Sequence, residues 1–241
     1  MQLLWNRIHQ MEQECRFHGK AYPEGLAPFP GRLTGQGFFP GGDGLWRDDS
    51  QLHDKPQFPF PFGGIMFLGN DFGTLDSFKT LLRRGYENPP TWRNLKLRLN
   101  RAGIPGRLGF FTNAILGLRT ENKALDAMDW TNYPQFGRLC REFLEFQIET
   151  VKPRLVVVLG SKAKLAVCSD LPHPIIPGLV QWQGRDLNSM LAEGTIQRGE
   201  WQGSKLTFLL TSHPYSDVGK NDDAKTADTA RLACAWELAQ Q

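Results

Sequence analysis

An acid, an amide and an imidazole each stand just past a short apolar run in this chain. Asp71 follows Ile65-Met66-Phe67-Leu68-Gly69-Asn70. Asn113 closes Leu108-Gly109-Phe110-Phe111-Thr112, and His213 follows Leu206-Thr207-Phe208-Leu209-Leu210-Thr211-Ser212. A fourth run, Leu155-Val156-Val157-Val158-Leu159, ends in Gly160-Ser161. Short apolar runs bounded by turn residues are expected to be buried strands. If the four pair in parallel, the polar groups meet at one carboxyl edge, where open α/β sheets collect their ligands.

Each group has a chemical use and a plainer one. A carboxylate at a buried strand end is desolvated, which costs free energy unless it is paired or used. Asp71 could orient a water or offset positive charge developing on a sugar ring; it could equally be the N-cap of the next helix. Asn113 could offer a donor and acceptors to a planar, amide-like edge such as a nucleobase. Its plainer role is a turn residue bonded to its own backbone. His213 has its exit direction pinned by Pro214. A neutral imidazole there could donate to an oxygen that gains charge, or it could be a hydrogen-bonded structural histidine. His9, His18, His53 and His173 have no such context and are read as structural. Phe72, Phe78, Tyr86 and Trp92 follow the acid. Any of them could stack on a base, a contact worth about 1–3 kcal/mol, although most belong to the core on this reading. Tyr215 and the loop to Lys220 could touch a duplex, against the default of a solvated loop.

The elements that must position these groups follow from periodicity and turn chemistry. Residues 1–17 have the apolar spacing of a short amphipathic helix. From about Lys20 to Phe62, glycine, proline and phenylalanine dominate, and the stretch is expected to be an ordered covering loop that lies on the sheet or rims the site. Helices are expected over Asp76–Gly85 and Thr91–Gly103, the second capped by Thr91. Strand two should run from about Arg107 to Thr112, and a polar connection should follow it to Asn132. Pro134–Val151 has the clearest helical face: Phe136, Leu139, Cys140, Phe143, Leu144 and Ile148. Arg154–Leu159 is the next strand, and Ser161 caps a helix to Val167. Residues 170–205 read as irregular chain plus a small hairpin leading into the strand at Leu206. The chain closes in a helix over Asp222–Gln241, with Ala227, Ala230, Leu232, Ala235 and Leu238 inward. This alternation predicts a three-layer α/β/α domain around a central, mainly parallel four-stranded sheet. The expected division is residues 1–62, the N-terminal helix and covering segment, and 63–241, the α/β domain.

Composition sets few limits. The 241 residues are 40% hydrophobic, enough for a sizeable core, and a net charge of +3 permits a polyanionic partner without implying one. Cys15, Cys140, Cys168 and Cys234 are scattered with no Cys-x-x-Cys pair, which suggests neither a disulfide framework nor a local zinc site. No apolar run reaches the roughly 18 residues of a membrane span. The expected setting is the cytoplasm. Gly160-Ser161-Lys162 lacks the glycines of a Walker loop, and there is no Gly-x-Ser-x-Gly elbow.

The ordered set Gly69-Asn70-Asp71-Phe72-Gly73, Phe110-Phe111-Thr112-Asn113, the segment Cys140 to Gly160, and Ser212-His213-Pro214 resembles the uracil-DNA glycosylase superfamily. The resemblance spans roughly residues 63–216. The segment Cys140 to Leu159 is most similar to the branch that carries an iron–sulfur cluster. The resemblance implies hydrolysis of the N-glycosidic bond of a base flipped out of DNA. It implies Asp71 and His213 as the catalytic pair: an acid that activates water or stabilises charge, and a histidine that stabilises the departing base through its O2. It implies Asn70, Phe72, Gly73 and Asn113 around the base, with Asn113 reading the pyrimidine edge. Ser161, Ser212, Pro214, Tyr215 and Lys220 would then face DNA. The partner implied is DNA containing uracil or a modified pyrimidine, and the protein would act as a monomer.

Two departures from the family pattern matter. Cys140 matches the last cluster ligand, but Cys15 has no companion, and Gly117 or Leu118 stands near where another ligand would fall. One or two thiols do not bind a Cys₄ cluster, so no cluster, metal or other cofactor is expected. Gly73 stands where some members carry a tyrosine that walls off C5 of uracil, so a larger C5 substituent would fit by volume. Excision of a modified pyrimidine, in repair or in defence against foreign DNA, is the resulting expectation. The alternatives are a non-catalytic nucleic-acid-binding module of the same fold and a nucleoside hydrolase.

Overall fold

A computed structural model describes residues 2–17, 22–30, 62–84, 90–121, 133–168, 182, 185–193, 195–214 and 222–241. Its centre is a five-stranded sheet in the order β3-β2-β5-β7-β6. The strands are β2 (Ile65–Gly69), β3 (Gly109–Asn113), β5 (Leu155–Leu159), β6 (Ile196–Trp201) and β7 (Ser204–Thr211). The first three and β7 run parallel, as their continuous apolar runs require. The expected sheet of four strands is one strand short. The hairpin foreseen before Leu206 does not precede the sheet but joins it: β6 pairs antiparallel with β7 along its whole length. Gln202 and Gly203 both take positive φ, the two-residue turn whose twist matches the strands on either side.

Both faces of the sheet are covered, because alternate residues of each run point to opposite sides. Met66, Leu68, Phe110, Val156, Val158 and Phe208 share one core with α1 (Gln2–Phe17), α2 (Leu75–Arg84), α4 (Pro134–Val151) and α5 (Gly160–Cys168). Ile65, Phe67, Phe111, Val157 and Leu209 pack on the other side against α3 (Pro90–Arg101) and α7 (Asp222–Ala239). Each fully buried Leu or Phe contributes roughly 1.5–3 kcal/mol relative to exposure. α1 inserts Leu4, Ile8 and Met11 into the first core, and so belongs to the same packed body as the sheet.

Local signals explain several differences from expectation. α3 starts at Pro90, a residue suited to a first helical position, so Thr91 lies inside the helix and is not its cap. α5 follows β5 without a gap, so Ser161 lies inside it as well. On α7 the inward stripe is Asp228, Leu232 and Ala235, whereas Ala230 faces solvent. A further helix, α6 (Leu187–Glu193), occupies what reads as irregular chain. Its cap is Asp186, whose Oδ1 accepts the Ser189 N–H at 3.0 Å. The Ser189 hydroxyl, followed by that amide, holds the Asp186 carboxyl below the usual carboxylate range. The polar connection after β3 begins with β4 (Leu118–Arg119), paired antiparallel with β1 (Leu26–Ala27). Of the Phe/Pro/Gly segment, residues 22–30 and 62 are described, and 20–21 and 31–61 lie outside the described residues. Phe29 is buried there, its N–H donating to Glu12 Oε1 at 2.9 Å.

Candidate active site at the carboxyl edge of the sheet

The strand register brings the polar groups to one edge. Gly69 lies beside Asn113, and Leu159 beside Thr211. Asp71, Ser161 and His213 each follow two residues beyond that row. β2 and β7 are separated only by β5, so two steps of about 4.8 Å put their ends roughly 10 Å apart. The chain turns from β2 to β3 on one side and then crosses to β5 on the other. The gap between β2 and β5 is therefore the topological switch point, where ligands of open α/β sheets bind. Asp71 and Ser161 flank it, and the N-terminus of α5 opens directly onto it.

Asn113 is the most informative of these residues. It closes β3, is only 5% exposed, and among the described residues its Nδ2 has no hydrogen-bond partner. It is not the self-bonded turn residue that was the plainer expectation. A buried donor left unmade costs about 1–3 kcal/mol, and most such groups in folded proteins are satisfied.

Asp71 does not cap α2. That role falls to Thr74, whose Oγ1 accepts the Ser77 N–H at 3.1 Å. Asp71 instead closes a tight turn and an ion pair. Its Oδ1 accepts from the Gly73 N–H at 2.9 Å and from Arg119 Nε at 3.1 Å, and its Oδ2 from Asn70 Nδ2 at 3.0 Å. Asn70 is thus engaged with the acid. Gly73 has φ +87°, a left-handed turn that favours glycine, and open space stands where its side chain would be. The glycine therefore has a backbone reason as well as the volume reason read from the sequence. Phe72 is half-buried, held edge-on by Phe29 at 5.3 Å between ring centroids.

Arg119 was not foreseen. It arrives because the chain beyond β3 is zipped to the chain beyond β2: the Ala114 N–H donates to Gly69 O, that of Ile115 to Asn70 O, and that of Arg119 to Gly73 O. Cys140 supports the same loop, its Sγ accepting the Leu116 N–H at 3.3 Å.

The Ser212-His213-Pro214 turn is clamped from behind by α3 and α7. Arg98 is 4% exposed. Its Nη1 donates to Ser212 O at 3.0 Å and to Thr211 Oγ1 at 3.2 Å, and its Nη2 to Ser212 Oγ at 3.1 Å. Asp228 pairs with Arg98 Nη2 at 3.3 Å and Arg231 Nη1 at 3.1 Å, and accepts the Ser212 hydroxyl. Asn94 Nδ2 donates to Pro214 O at 2.7 Å. One signal was available: Arg98 falls three residues after Leu95 on the apolar face of α3, an unusual place for a charge. Ser212 faces this network and Pro214 is buried, so the groups of this turn that lie toward solvent begin with half-buried His213. Tyr215 and Lys220 lie outside the described residues.

Gly160 touches the histidine directly. Its φ is +84°, and an added Cβ would meet His213 Cβ at 3.0 Å. Gly160→Ala is expected to destabilise the fold by roughly 1–2 kcal/mol through backbone strain and to displace His213. Urea unfolding together with the imidazole NMR shifts measures both; unchanged shifts would mean the turn absorbs the methyl.

Fold and edge together define an α/β domain with a mixed, mainly parallel sheet and a polar edge at its switch point. No protein-family model matches the chain, and no curated protein matches it. Among the described residues no helix is long and apolar enough to cross a membrane.

Proposed function

We propose that this protein is a DNA glycosylase that hydrolyses the N-glycosidic bond of a flipped-out uracil or C5-modified pyrimidine and leaves an abasic site. The observation that carries the reading is the buried Asn113 Nδ2, which has no hydrogen-bond partner among the described residues. A base edge that supplies an acceptor would satisfy it. Asn113 orients the pyrimidine and Phe72 offers a ring to stack on it. The C1′–N bond breaks with its electron pair leaving on the base, and His213 donates to the O2 that gains charge. Asp71 orients the water that attacks C1′, and the proton that water gives up passes to the Asp71 carboxylate and on to solvent. Three of its roughly four lone-pair positions are taken, so one position on Oδ2 remains for that water. Arg119, 3.1 Å away, offsets much of the carboxylate charge. Holding water thus outweighs charge stabilisation in the role of Asp71. A DNA partner, a monomer, a cytoplasmic setting, repair or defence as the purpose, and the family's central fold belong to this same reading.

The same ion pair favours a second reading, a non-catalytic module of this fold that senses a base through Asn113. An abasic-site screen separates the two. The full chain is incubated with duplexes and single strands bearing uracil, thymine mismatches or C5-modified cytosines, and with free nucleosides. Alkali-labile strands from one of the DNA substrates support the enzyme; binding without cleavage on all of them supports the module. Release from nucleosides alone would indicate a nucleoside hydrolase.

Asn113→Leu, which keeps the number and branching of side-chain heavy atoms while replacing the amide by two methyls, gives a sharper signature. It removes a buried unsatisfied donor, so stability is expected to rise by about 1 kcal/mol. Excision is expected to fall roughly 10²-fold as the base edge loses its partner. A variant that is less stable yet equally active would make Asn113 a structural residue.

A further inference from the structure

Every charged residue of α3 is a cation: Arg93, Lys96, Arg98 and Arg101. Arg98 is neutralised internally by Asp228. The others face outward in different ways. Lys96 lies over the Trp92 ring at 6.0 Å, while Arg93 and Arg101 are exposed. Arg107, exposed in the 3₁₀ turn Gly106–Leu108 that packs against α3, extends the set. Among the described residues Arg93, Arg101 and Arg107 have no carboxylate partner. The outer face of α4 differs: its Arg138 and Arg141 pair with Glu142 and Glu145 one turn on. A chain whose net charge is only +3 has therefore placed unpaired arginines on one helix face.

We infer that the outer face of α3, with Arg107, is a phosphate-binding track that holds nucleic acid leading away from the sheet edge. The inference rests on the reading above for the identity of its occupant. Position is its second support. The inner face of α3 grips the His213 turn through Asn94 and Arg98, so the outer arginines are rigidly tied to the candidate site. Arg93, Leu97 and Arg101 recur at four-residue spacing and share one stripe. Eight residues at 1.5 Å put Arg101 about 12 Å beyond Arg93. One strand of B-DNA presents a phosphate about every 3.4 Å of axis. Guanidinium forks match phosphate oxygens bidentately. Leu97 is the one exposed large apolar side chain on α3 among the described residues. A membrane-binding helix would need a broad apolar face, so a polyanionic strand fits better than a lipid surface.

The test uses the full chain and a fluorescent 30-mer duplex of unmodified sequence, titrated between about 50 and 200 mM salt. Each phosphate contact contributes about 0.9 to the slope of log K against log salt. Relative to wild type, the triple variant R93Q/R101Q/R107Q is expected to lower that slope by about 2–3 and to weaken binding at least tenfold at 100 mM. Arg138→Gln, on paired α4, is expected to move the slope by less than half a unit. An unchanged slope in the triple variant, or an equal loss in the Arg138 control, overturns the inference. So does a triple variant that loses binding to anionic phosphatidylserine vesicles while keeping its DNA slope. Should the triple variant fail to fold, single replacements, each worth about one contact, decide the matter. Unmodified DNA requires no excision, so the glycosylase reading can fail while this track stands, and the reverse.

Discussion

Asp71→Asn is expected to lower base excision roughly 10³-fold while the protein remains folded and still binds DNA. The magnitude is that of losing a positioned general base or water-orienting group, about 10²–10⁴-fold. The fold should survive because an asparagine oxygen can still accept from the Gly73 N–H and Arg119 Nε, the two donors on Oδ1. The disturbed contact is with Asn70 Nδ2, where two amides would face each other. Single-turnover cleavage of the best substrate from the screen, with thermal melting alongside, measures both. Turnover near wild type would leave Asp71 as a turn-closing residue only. Arg119→Ala then separates two roles for the acid. If Asp71 acts by orienting water, releasing it from Arg119 slows the reaction. If it acts by raw charge, removing a cation 3.1 Å away strengthens the field at the sugar and speeds it.

Arg98→Met is expected to cost about 3–5 kcal/mol of stability. Removing one partner of a buried pair leaves the other charge uncompensated. Here Asp228 would keep Arg231 but lose Arg98, and the Ser212 carbonyl and Thr211 hydroxyl would lose a donor. Domains of this kind are stable by about 5–15 kcal/mol, so the loss is a large share of the total. Urea unfolding measures it. Adding Asp228→Leu to Arg98→Met should recover part of the loss, because a buried pair removed whole is often replaced at little cost. A loss below about 1 kcal/mol in the single variant would mean that packing, rather than the ion network, holds the His213 turn.

Much of this architecture follows from local sequence alone. The four apolar runs are short, bounded by turn residues and contain β-branched or aromatic side chains, the pattern of buried strands. Their continuous hydrophobicity requires cover on both faces, and hence helices on both sides. The Pro134–Val151 helix is bounded as its periodicity and the following Pro153 demand. The edge position of Asp71, Asn113 and His213 follows once those strands are parallel, since residues just past parallel strands share one edge.

Tertiary structure decided the partners. Nothing within a few residues of Asp71 announces Arg119, which comes from 48 positions away through the pairing of two loops. Arg98 reaches Ser212 across 114 positions. The hairpin before Leu206 is legible in the sequence, and β6 alternates half-buried and exposed residues as a strand does; what the sequence does not say is that this strand extends the central sheet, which depends on β7 offering its open edge. The state of Asn113 was equally nonlocal. An asparagine in a turn bonds its own backbone, and only the packing of the sheet edge leaves this one buried with its donor unmet. Short-range sequence fixes which segments are strand or helix because burial period and capping act over a few residues. Which charge meets which carboxylate depends on the distance between segments after packing, which local sequence does not set.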